Sequence, residues 1–420
     1  MIIETALTKY LKYNFSNNLR FNEFADITPP TPSSDTNYLI YIHVPFCEEL
    51  CPYCSFNRYV FEKELAEEYF RALDLEIRMY RDLGYDFKSV YVGGGTPTVM
   101  PRTINTLLTN LRKIFSIEEI SLETNPNHLT DDIVQILIDS GVNRLSVGVQ
   151  SFDDSMLMQM SRFHKYGSGG EIKERLSRVL GRFDTLNVDM IFNFPTQTLE
   201  ILRNDLETIK DLRTDQVTFY PLMVSDMTKA ELARRFGAIS YKQEKIFYNE
   251  IYDSLSKQYT TGTAWCFSRK KSMIDEYVVD YDEYVGAGSG SFGYVSGQCL
   301  ANTFSVRDYI ALVKAGKFPL MARKEFTVKE RARYYFMMRL FGCSLDIDTA
   351  ERVFSGNFQK TLWKEILCFR LLRSLHRSGK ILTLTRKGLY LWVIMMREFF
   401  TGVNNFREIC RATSGAKQSC

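Results

Sequence analysis

Strand-like and helix-like segments alternate six times between residues 38 and 225, and this alternation is the strongest constraint on the fold. The strand-like segments are short, rich in β-branched and aromatic residues, and bounded by Gly, Pro, Asn or Asp. They cover residues 38–44, 89–92, 119–123, 144–149, 187–192 and 216–220, with helical periodicity over 62–83, 104–114, 130–140, 153–160, 170–182 and 198–212. This order predicts an α/β fold whose parallel sheet is either open or curled into a partial (β/α)6 TIM-type barrel.

Unusual polar residues and glycines follow each predicted strand. Because ligands of such sheets bind at the carboxyl ends of the strands, these residues are expected to meet at one site. In chain order they are His43 with a cysteine-rich loop, residues 93–98, Glu123, Gln150, Asp189 with Asn193, and residues 220–223.

The cysteine-rich loop contains Cys47, Cys51 and Cys54, which are separated by three and then two residues. One loop with this spacing can wrap around a cubane [4Fe-4S] cluster, whose four irons would need four cysteines for complete protein ligation. The next cysteine is Cys266, so one iron would be left to bind an exchangeable ligand. The alternatives are a structural zinc site and ordinary buried thiols. No second pair such as C-x2-C or H-x3-H completes a zinc site, so the spacing favours the cluster.

The 420 residues suffice for one large catalytic domain and a smaller one. We expect an N-terminal extension (1–37), a core (38–225), a barrel-completing and substrate-covering region (226–325) and a mostly helical, winged-helix-like C-terminal domain (326–420). The net charge of +3 gives no argument for nucleic acid. Nine cysteines without a signal peptide or a membrane-length apolar stretch predict a cytoplasmic protein with no membrane partner.

Six motifs in a fixed order carry a family resemblance. They are YIHVPFC from residue 41 with the cysteine triad, GGGTPT from 93, SLETNP from 121, RLSVGVQS from 144, RFH from 162 and NVDMIFNFP from 187. Over residues 38–225 the chain resembles the radical S-adenosylmethionine (SAM) enzymes, in the branch of the oxygen-independent coproporphyrinogen III dehydrogenase. The resemblance implies that SAM chelates the open iron of the cluster and is cleaved to a 5′-deoxyadenosyl radical.

The same resemblance implies a set of cofactor-binding residues. In this set Glu123 and Asp189 would accept hydrogen bonds from ribose hydroxyls or the ammonium group, and Arg162 would pair with the carboxylate of SAM. The structural alternatives to these functional roles are a helix cap for Glu123, a solvated helix end for Arg162 with His164, and a core histidine for His43. The implied set is Tyr41, Tyr53, Gly94, Gly95, Thr96, Glu123, Gln150, Arg162 and Asp189.

Departures from the family pattern point to one reaction within the branch. Residues 1–37 lack the proline- and tyrosine-rich motif of the decarboxylases, and residues 272–284 contain neither the histidine nor the tryptophan of haem-trafficking relatives. Elimination leaves radical C-methylation or cyclopropanation of an unsaturated planar small molecule, such as a tetrapyrrole or haem, with two SAM molecules. The alternatives are a haem-binding trafficking protein and coproporphyrinogen III dehydrogenase-type oxidative decarboxylation.

Tyr220 and Cys266 are predicted to be catalytic, with Cys266 as a hydrogen or proton donor. The ordinary alternative for both residues is a role in packing. A wall of Phe46, Tyr53 and Phe56 is expected to shield the cluster.

The basic, aromatic C-terminal domain would cover a planar ligand or, alternatively, bind nucleic acid. A reducing electron donor such as flavodoxin or ferredoxin is the expected partner. Further candidates for a second cofactor or the substrate are Thr96, Met223, Trp265 and residues 286–290.

Overall fold

The computed structural model describes residues 4, 7–9, 22–23, 27–269 and 277–413, and its centre is a six-stranded parallel unit. These strands pair with one another in chain order, as predicted. They are β1 (Tyr38–Val44), β2 (Phe87–Gly94), β3 (Glu119–Thr124), β4 (Arg144–Gln150), β5 (Thr185–Phe192) and β6 (Gln216–Pro221). The α/β class is therefore confirmed, and the carboxyl ends of all six strands lie at one edge.

Helices connect the parallel strands and bury their apolar faces against the sheet. Several begin at a hydroxyl N-cap, because the side chains of Thr130, Ser168 and Thr198 accept a hydrogen bond from a first-turn amide. The connecting helices span Lys63–Asp82, Pro101–Ile114, Asp131–Asp139, Asp154–Gln159, Phe163–Tyr166, Gly169–Val179 and Leu199–Leu212.

Helices dominate beyond residue 225, and short strands that were not predicted extend the sheet at both edges. Tyr284–Ala287 pairs in parallel with β1, and Cys266–Ser268 pairs antiparallel with β6. Segments of two to six residues are too short for periodicity to reveal. The other added strands are Thr260–Thr261, Phe292–Val295, Gln298–Asn302, Leu320–Glu325 and Asn22–Glu23, which bring the sheet to 13 strands within the described part of the chain. Helices in this region span Asp226–Phe236, Tyr241–Leu255, Tyr277–Asp280 and Val306–Lys314.

The C-terminal region combines helices with a small antiparallel sheet of Ser344–Asp346, Ile381–Leu384 and Leu375–Ser378. Its helices span Val328–Phe341, Ile347–Val353, Phe358–Thr361, Trp363–Leu371 and Arg386–Thr413. The last of these, the final helix, is buried over residues 389–396. Its end lies beside the loop after β6, where Asn404 Nδ2 donates to Met223 O at 3.2 Å and Asp226 N donates to Asn405 Oδ1 at 2.8 Å. No helix among the described residues has the length and apolar character needed to cross a membrane.

A buried carboxylate joins the first connecting helix to the glycine-rich segment at the sheet edge. Glu76 accepts hydrogen bonds from Tyr309 Oη at 2.5 Å, Gly288 N at 2.7 Å and Asn302 Nδ2 at 2.8 Å. Burial raises the pKa of Glu76 from 4.5 to about 7, against the effect of these donors. The folded protein therefore holds a proton here at pH values where the unfolded chain has lost it.

This shift predicts a pH-dependent loss of stability. The contribution of Glu76 is complete below its unfolded pKa and is lost as the pH rises through its folded value of about 7. The free energy of unfolding should fall by about 3 kcal/mol over this window. In denaturant titrations between pH 5 and 8, Glu76→Gln should remove this part of the slope. Glu64→Gln, at an exposed position on the same helix, is the control; equal slopes in all three proteins would contradict the assignment.

Candidate active site

The three cysteines of the triad lie at the mouth of the six-stranded unit. Cys47 ends a short strand, Phe46–Cys47, that pairs with Tyr59–Val60, and Cys54 N donates to Cys51 O at 3.3 Å. Polar side chains from later strand ends approach the thiols. Thr96 Oγ1 lies 3.6 Å from Cys47 Sγ, while Arg162 Nη1 and Lys165 Nζ lie 3.7 and 3.9 Å from Cys51 Sγ.

The surroundings of the triad fit a [4Fe-4S] cluster. Three thiols on one loop match the donor set of a cubane, and burial raises the pKa of Cys47 to about 12, so a metal would have to displace its proton. Among the described residues, no group of three or more His, Cys, Asp or Glu side chains, the triad included, is arranged to hold a metal ion, so the number and spacing of the thiols carry the assignment and not their relative positions. When bound, the cluster would supply the electron for cleaving the sulfonium bond of SAM.

The triple glycine packs directly beneath the cysteine loop. Gly95 N donates to Val44 O and Thr96 N donates to Phe46 O, both at 2.7 Å. A Cβ at Gly95 would lie 2.6 Å from Phe46 O and 3.0 Å from Cys47 Sγ. The glycine therefore permits a close approach of two loops, and not only of backbone to a ligand.

The predicted hydrophobic wall is partly wrong. Phe46 is fully buried and Tyr53 is 8% exposed, whereas Phe56 is 45% exposed and cannot exclude water. The apolar residues that pack with Cys51 and Tyr53 come from distant parts of the chain, where sequence gave no signal for this role. They are Met156, Met160, Phe194, Leu222, Val224 and Leu232.

Glu123 lies at the end of β3 and does not cap a helix. Its carboxylate accepts from Tyr91 Oη at 2.9 Å and from Gly94 N at 3.2 Å. Burial, followed by the nearby charge of Asp189, raises the pKa of Glu123 to about 7. Asp189 itself accepts from Ser146 Oγ at 2.7 Å and Asn187 Nδ2 at 2.8 Å. Two carboxylates held this close favour a cationic or hydroxyl-rich ligand between them.

Arg162 is 4% exposed, so the alternative of a solvated helix end is wrong for this residue. Its Nη2 donates to Asn125 Oδ1 at 3.2 Å and to Gly148 O, and its guanidinium lies 4.3 Å from the ring centroid of Tyr166. Gln150, at a register shift between β4 and β5, has a left-handed backbone with φ of 77°. Such strain at a strand end is typical of a position fixed by function.

Tyr41 and His43 form the side of the site on β1. Tyr41 Oη and His43 Nδ1 are 2.9 Å apart, and His43 Nε2 lies 2.8 Å from Asn57 O. Burial lowers the pKa of His43 to about 3, which supports the core-histidine alternative. The ring of Tyr277 stacks on Tyr41 with centroids 5.3 Å apart.

The predicted catalytic residues lie on β6 and on the antiparallel strand beside it. Tyr220 is at the end of β6, with its ring centroid 5.3 Å from that of Trp265. Cys266 is fully buried and pairs in register with Thr218 on β6. Met223 O accepts from the final helix, and residues 286–290 connect Tyr284–Ala287 to Phe292–Val295. The catalytic roles of Tyr220 and Cys266 stay predictions.

Sequence reasoning missed several residues that the fold brings to the site. Asn125 bridges Thr96 and Arg162, and its place in the SLETNP motif was the available signal. For Lys165, the available signal was its position three residues after Arg162. Arg407 and Arg411 of the final helix had none, because they are more than 350 residues from the cysteines.

Comparison with known proteins agrees with this geometry. The radical SAM superfamily profile matches residues 41–209. The haem chaperone HemW of Bacillus subtilis is 31% identical over 304 residues, which is 69% of this chain and 80% of that protein. The chain belongs to the radical SAM superfamily, in its coproporphyrinogen III oxidase-like branch.

Two further comparisons extend over most of this radical SAM protein. The haem chaperone HemW of Lactococcus lactis is 27% identical over 382 residues, covering 87% of this chain and 98% of that protein. The structure of coproporphyrinogen III oxidase (HemN) from Escherichia coli superposes with a TM-score of 0.72 at 23% identity, covering 86% of this chain and 90% of that one. This likeness confirms the fold, and the superfamily implies a [4Fe-4S] cluster and SAM as cofactors.

The pKa of Glu123 predicts how SAM binding depends on pH. If the ionised carboxylate accepts from the ammonium or ribose of SAM, affinity should rise as the pH increases through about 7 and then level off. Glu123→Gln should weaken SAM binding about tenfold at pH 8 and flatten the profile, as measured by equilibrium dialysis under anaerobic conditions. Glu119→Gln, at the exposed opposite end of β3, should keep the wild-type profile. A profile unchanged in Glu123→Gln would exclude this role.

Proposed function

We propose that this radical SAM protein binds haem, or a closely related tetrapyrrole, at the mouth of its barrel and transfers it to an acceptor. The observation that carries the proposal is the similarity to a haem chaperone over 87% of this chain and 98% of that protein. This similarity includes most of the chain beyond residue 225, where the family motifs end. The departure at residues 272–284 counts against it in sequence, and residues 272–276 lie outside the described part of the structure.

The mouth of the barrel has surfaces suited to a planar ligand. Beneath the mouth, Tyr41, Tyr91, Tyr284 and Tyr294 form one buried aromatic cluster, in which Tyr284 is in register with Leu39 near the start of β1. At the opening, Phe56 exposes 45% of its surface beside the cysteine loop. An exposed aromatic side chain at this opening favours stacking with a macrocycle.

The test is a haem titration of the anaerobically reconstituted protein. We expect stoichiometric binding with a shifted Soret band, followed by transfer to an apo-haem acceptor that is then separated and assayed for haem. A Cys47→Ala protein should keep haem binding if the macrocycle is held by the polypeptide and not by the cluster. Failure of the wild-type protein to bind haem would refute the proposal.

A catalytic alternative is kept because the residues implied for SAM binding converge at one place. Glu123 and Asp189 are electrostatically coupled, and Arg162 lies within 3.7 Å of Cys51 Sγ. Incubation with SAM, dithionite and a tetrapyrrole should be assayed for 5′-deoxyadenosine and S-adenosylhomocysteine together. Both products with an alkylated tetrapyrrole would favour radical methylation; 5′-deoxyadenosine with decarboxylated coproporphyrinogen would favour oxidative decarboxylation.

A further inference from the structure

Two arginines near the end of the final helix lie beside the cysteine loop without an acidic partner. Arg407 and Arg411 have no carboxylate oxygen within ion-pair distance among the described residues. The nearest acid in sequence, Glu408, accepts hydrogen bonds from Ser225 and Thr228, and its charge acts on Arg411 without a direct ion pair. A pair of cations in this state is unusual, since buried charges are ordinarily paired.

Arg407 is 8% exposed and lies between two aromatic rings. Its guanidinium carbon is 5.0 Å from the ring centroid of Phe56 and 5.3 Å from that of Phe292. Nη1 donates to Asn404 Oδ1 at 2.8 Å, whereas the buried Nε has no hydrogen-bond partner. Burial lowers the pKa of Arg407 to about 10, so the side chain remains a cation at neutral pH.

Arg411 binds the cysteine loop from the same helix. Its Nη2 donates to Ser55 O at 3.2 Å and to Phe56 O, and its buried Nε has no hydrogen-bond partner. Arg411 follows Arg407 by one helical turn, and the repulsion between the two cations adds to burial in lowering the pKa of Arg407. Each of the two guanidinium groups therefore keeps an unsatisfied Nε donor beside the cysteine loop.

We infer that Arg407 and Arg411 form a carboxylate-binding site at this mouth, and that its ligand is a propionate group of a tetrapyrrole. Guanidinium groups bind carboxylates through paired N–H donors, which matches the unsatisfied nitrogens here. The rings of Phe56 and Phe292 beside Arg407 offer apolar contact to the macrocycle that carries the propionate. The tetrapyrrole rests on the proposed function, whereas the carboxylate site rests on the geometry alone. SAM also carries a carboxylate, and is the other source of this chemistry.

The experiment compares mesoporphyrin IX, its dimethyl ester and SAM as ligands of the full-length, cluster-loaded protein. Porphyrin binding is followed by fluorescence quenching and SAM binding by equilibrium dialysis. Arg407→Gln should weaken binding of the free acid about tenfold to hundredfold, leaving the ester and SAM unchanged. The wild-type protein should bind the ester as weakly as the variant binds the acid.

Matched variants separate ligand binding from folding. Arg386→Gln changes an exposed arginine of the same helix that pairs with Asp253, and should bind all three ligands normally. Arg407→Lys keeps the charge without the paired donors and should show an intermediate loss, as should Arg411→Gln. Cluster absorbance and melting temperature show whether each variant is folded. If Arg407→Gln does not fold, Arg407→Lys and Arg411→Gln replace it in the comparison.

Three results would overturn the inference. Equal affinity of the wild-type protein for acid and ester would exclude propionate recognition. An acid preference that persists in the folded arginine variants would place the carboxylate elsewhere, and a selective loss of SAM affinity would assign the site to SAM. Absence of any porphyrin binding would instead refute the proposed function, and the propionate ligand with it.

Discussion

Replacing Cys47 with alanine is expected to abolish the iron–sulfur cluster and all reductive cleavage of SAM. The loop supplies three free thiols, and Cys47 is the first of them. A cubane needs every one of these thiolates to leave a single open iron. Iron and sulfide content, cluster absorbance and 5′-deoxyadenosine formation should all fall to background in the reconstituted variant.

The control for this prediction is Cys368→Ala. Cys368 is exposed on the helix Trp363–Leu371 and has no place near the loop. It should retain the full cluster and the wild-type rate of SAM cleavage. A Cys47→Ala protein with a complete cluster would show that the ligand assignment is wrong.

Replacing Gly95 with alanine is expected to damage the same site without removing a ligand. The added methyl group would lie 2.6 Å from Phe46 O and 3.0 Å from Cys47 Sγ, so the backbone of one loop must move. Overpacking of this kind costs about 1–3 kcal/mol, and here the displaced atoms include a cluster ligand. We expect a lower melting temperature together with severalfold less iron after reconstitution.

Gly170→Ala is the matched control, because the nearest atom to an added Cβ there is Ser168 Oγ at 4.0 Å. Gly170 lies within the helix Gly169–Val179, where alanine is favoured over glycine by about 0.5–1 kcal/mol. This variant should be at least as stable as the wild type and load iron normally. If Gly95→Ala were also as stable as the wild type and loaded iron normally, the close approach of the two loops would contribute nothing to stability or to cluster assembly.

Local pattern was sufficient for the parallel core. The predicted limits of β1 agree with the structure at both ends, and the other five parallel strands differ by at most two residues at either end. These strands are continuous apolar segments bounded by turn residues, so their signal lies within a few neighbouring positions. The added strands at the sheet edges escaped prediction, since Cys266–Ser268 and Tyr284–Ala287 are defined by their partners and not by their own sequence.

The candidate site shows the same division. Glu123, Gln150 and Asp189 were accessible because each lies at a predicted strand end, and parallel strands bring such ends to one edge. The burial of Arg162 and the exposure of Phe56 could not be predicted from sequence, because both depend on which distant side chains pack around the cysteine loop.

The sequence by itself determined the chemistry at the centre of this protein: three thiols on one loop and polar residues after six parallel strands. The spacing of the thiols and the order of the strands are local properties, and the six sequence motifs that lie on them carry the resemblance to the radical SAM enzymes. Only the tertiary structure decided what covers that core. Helix Arg386–Thr413 has to cross the molecule before Arg407 and Arg411 reach the cysteine loop, and no local pattern encodes a contact between residues so far apart in the chain.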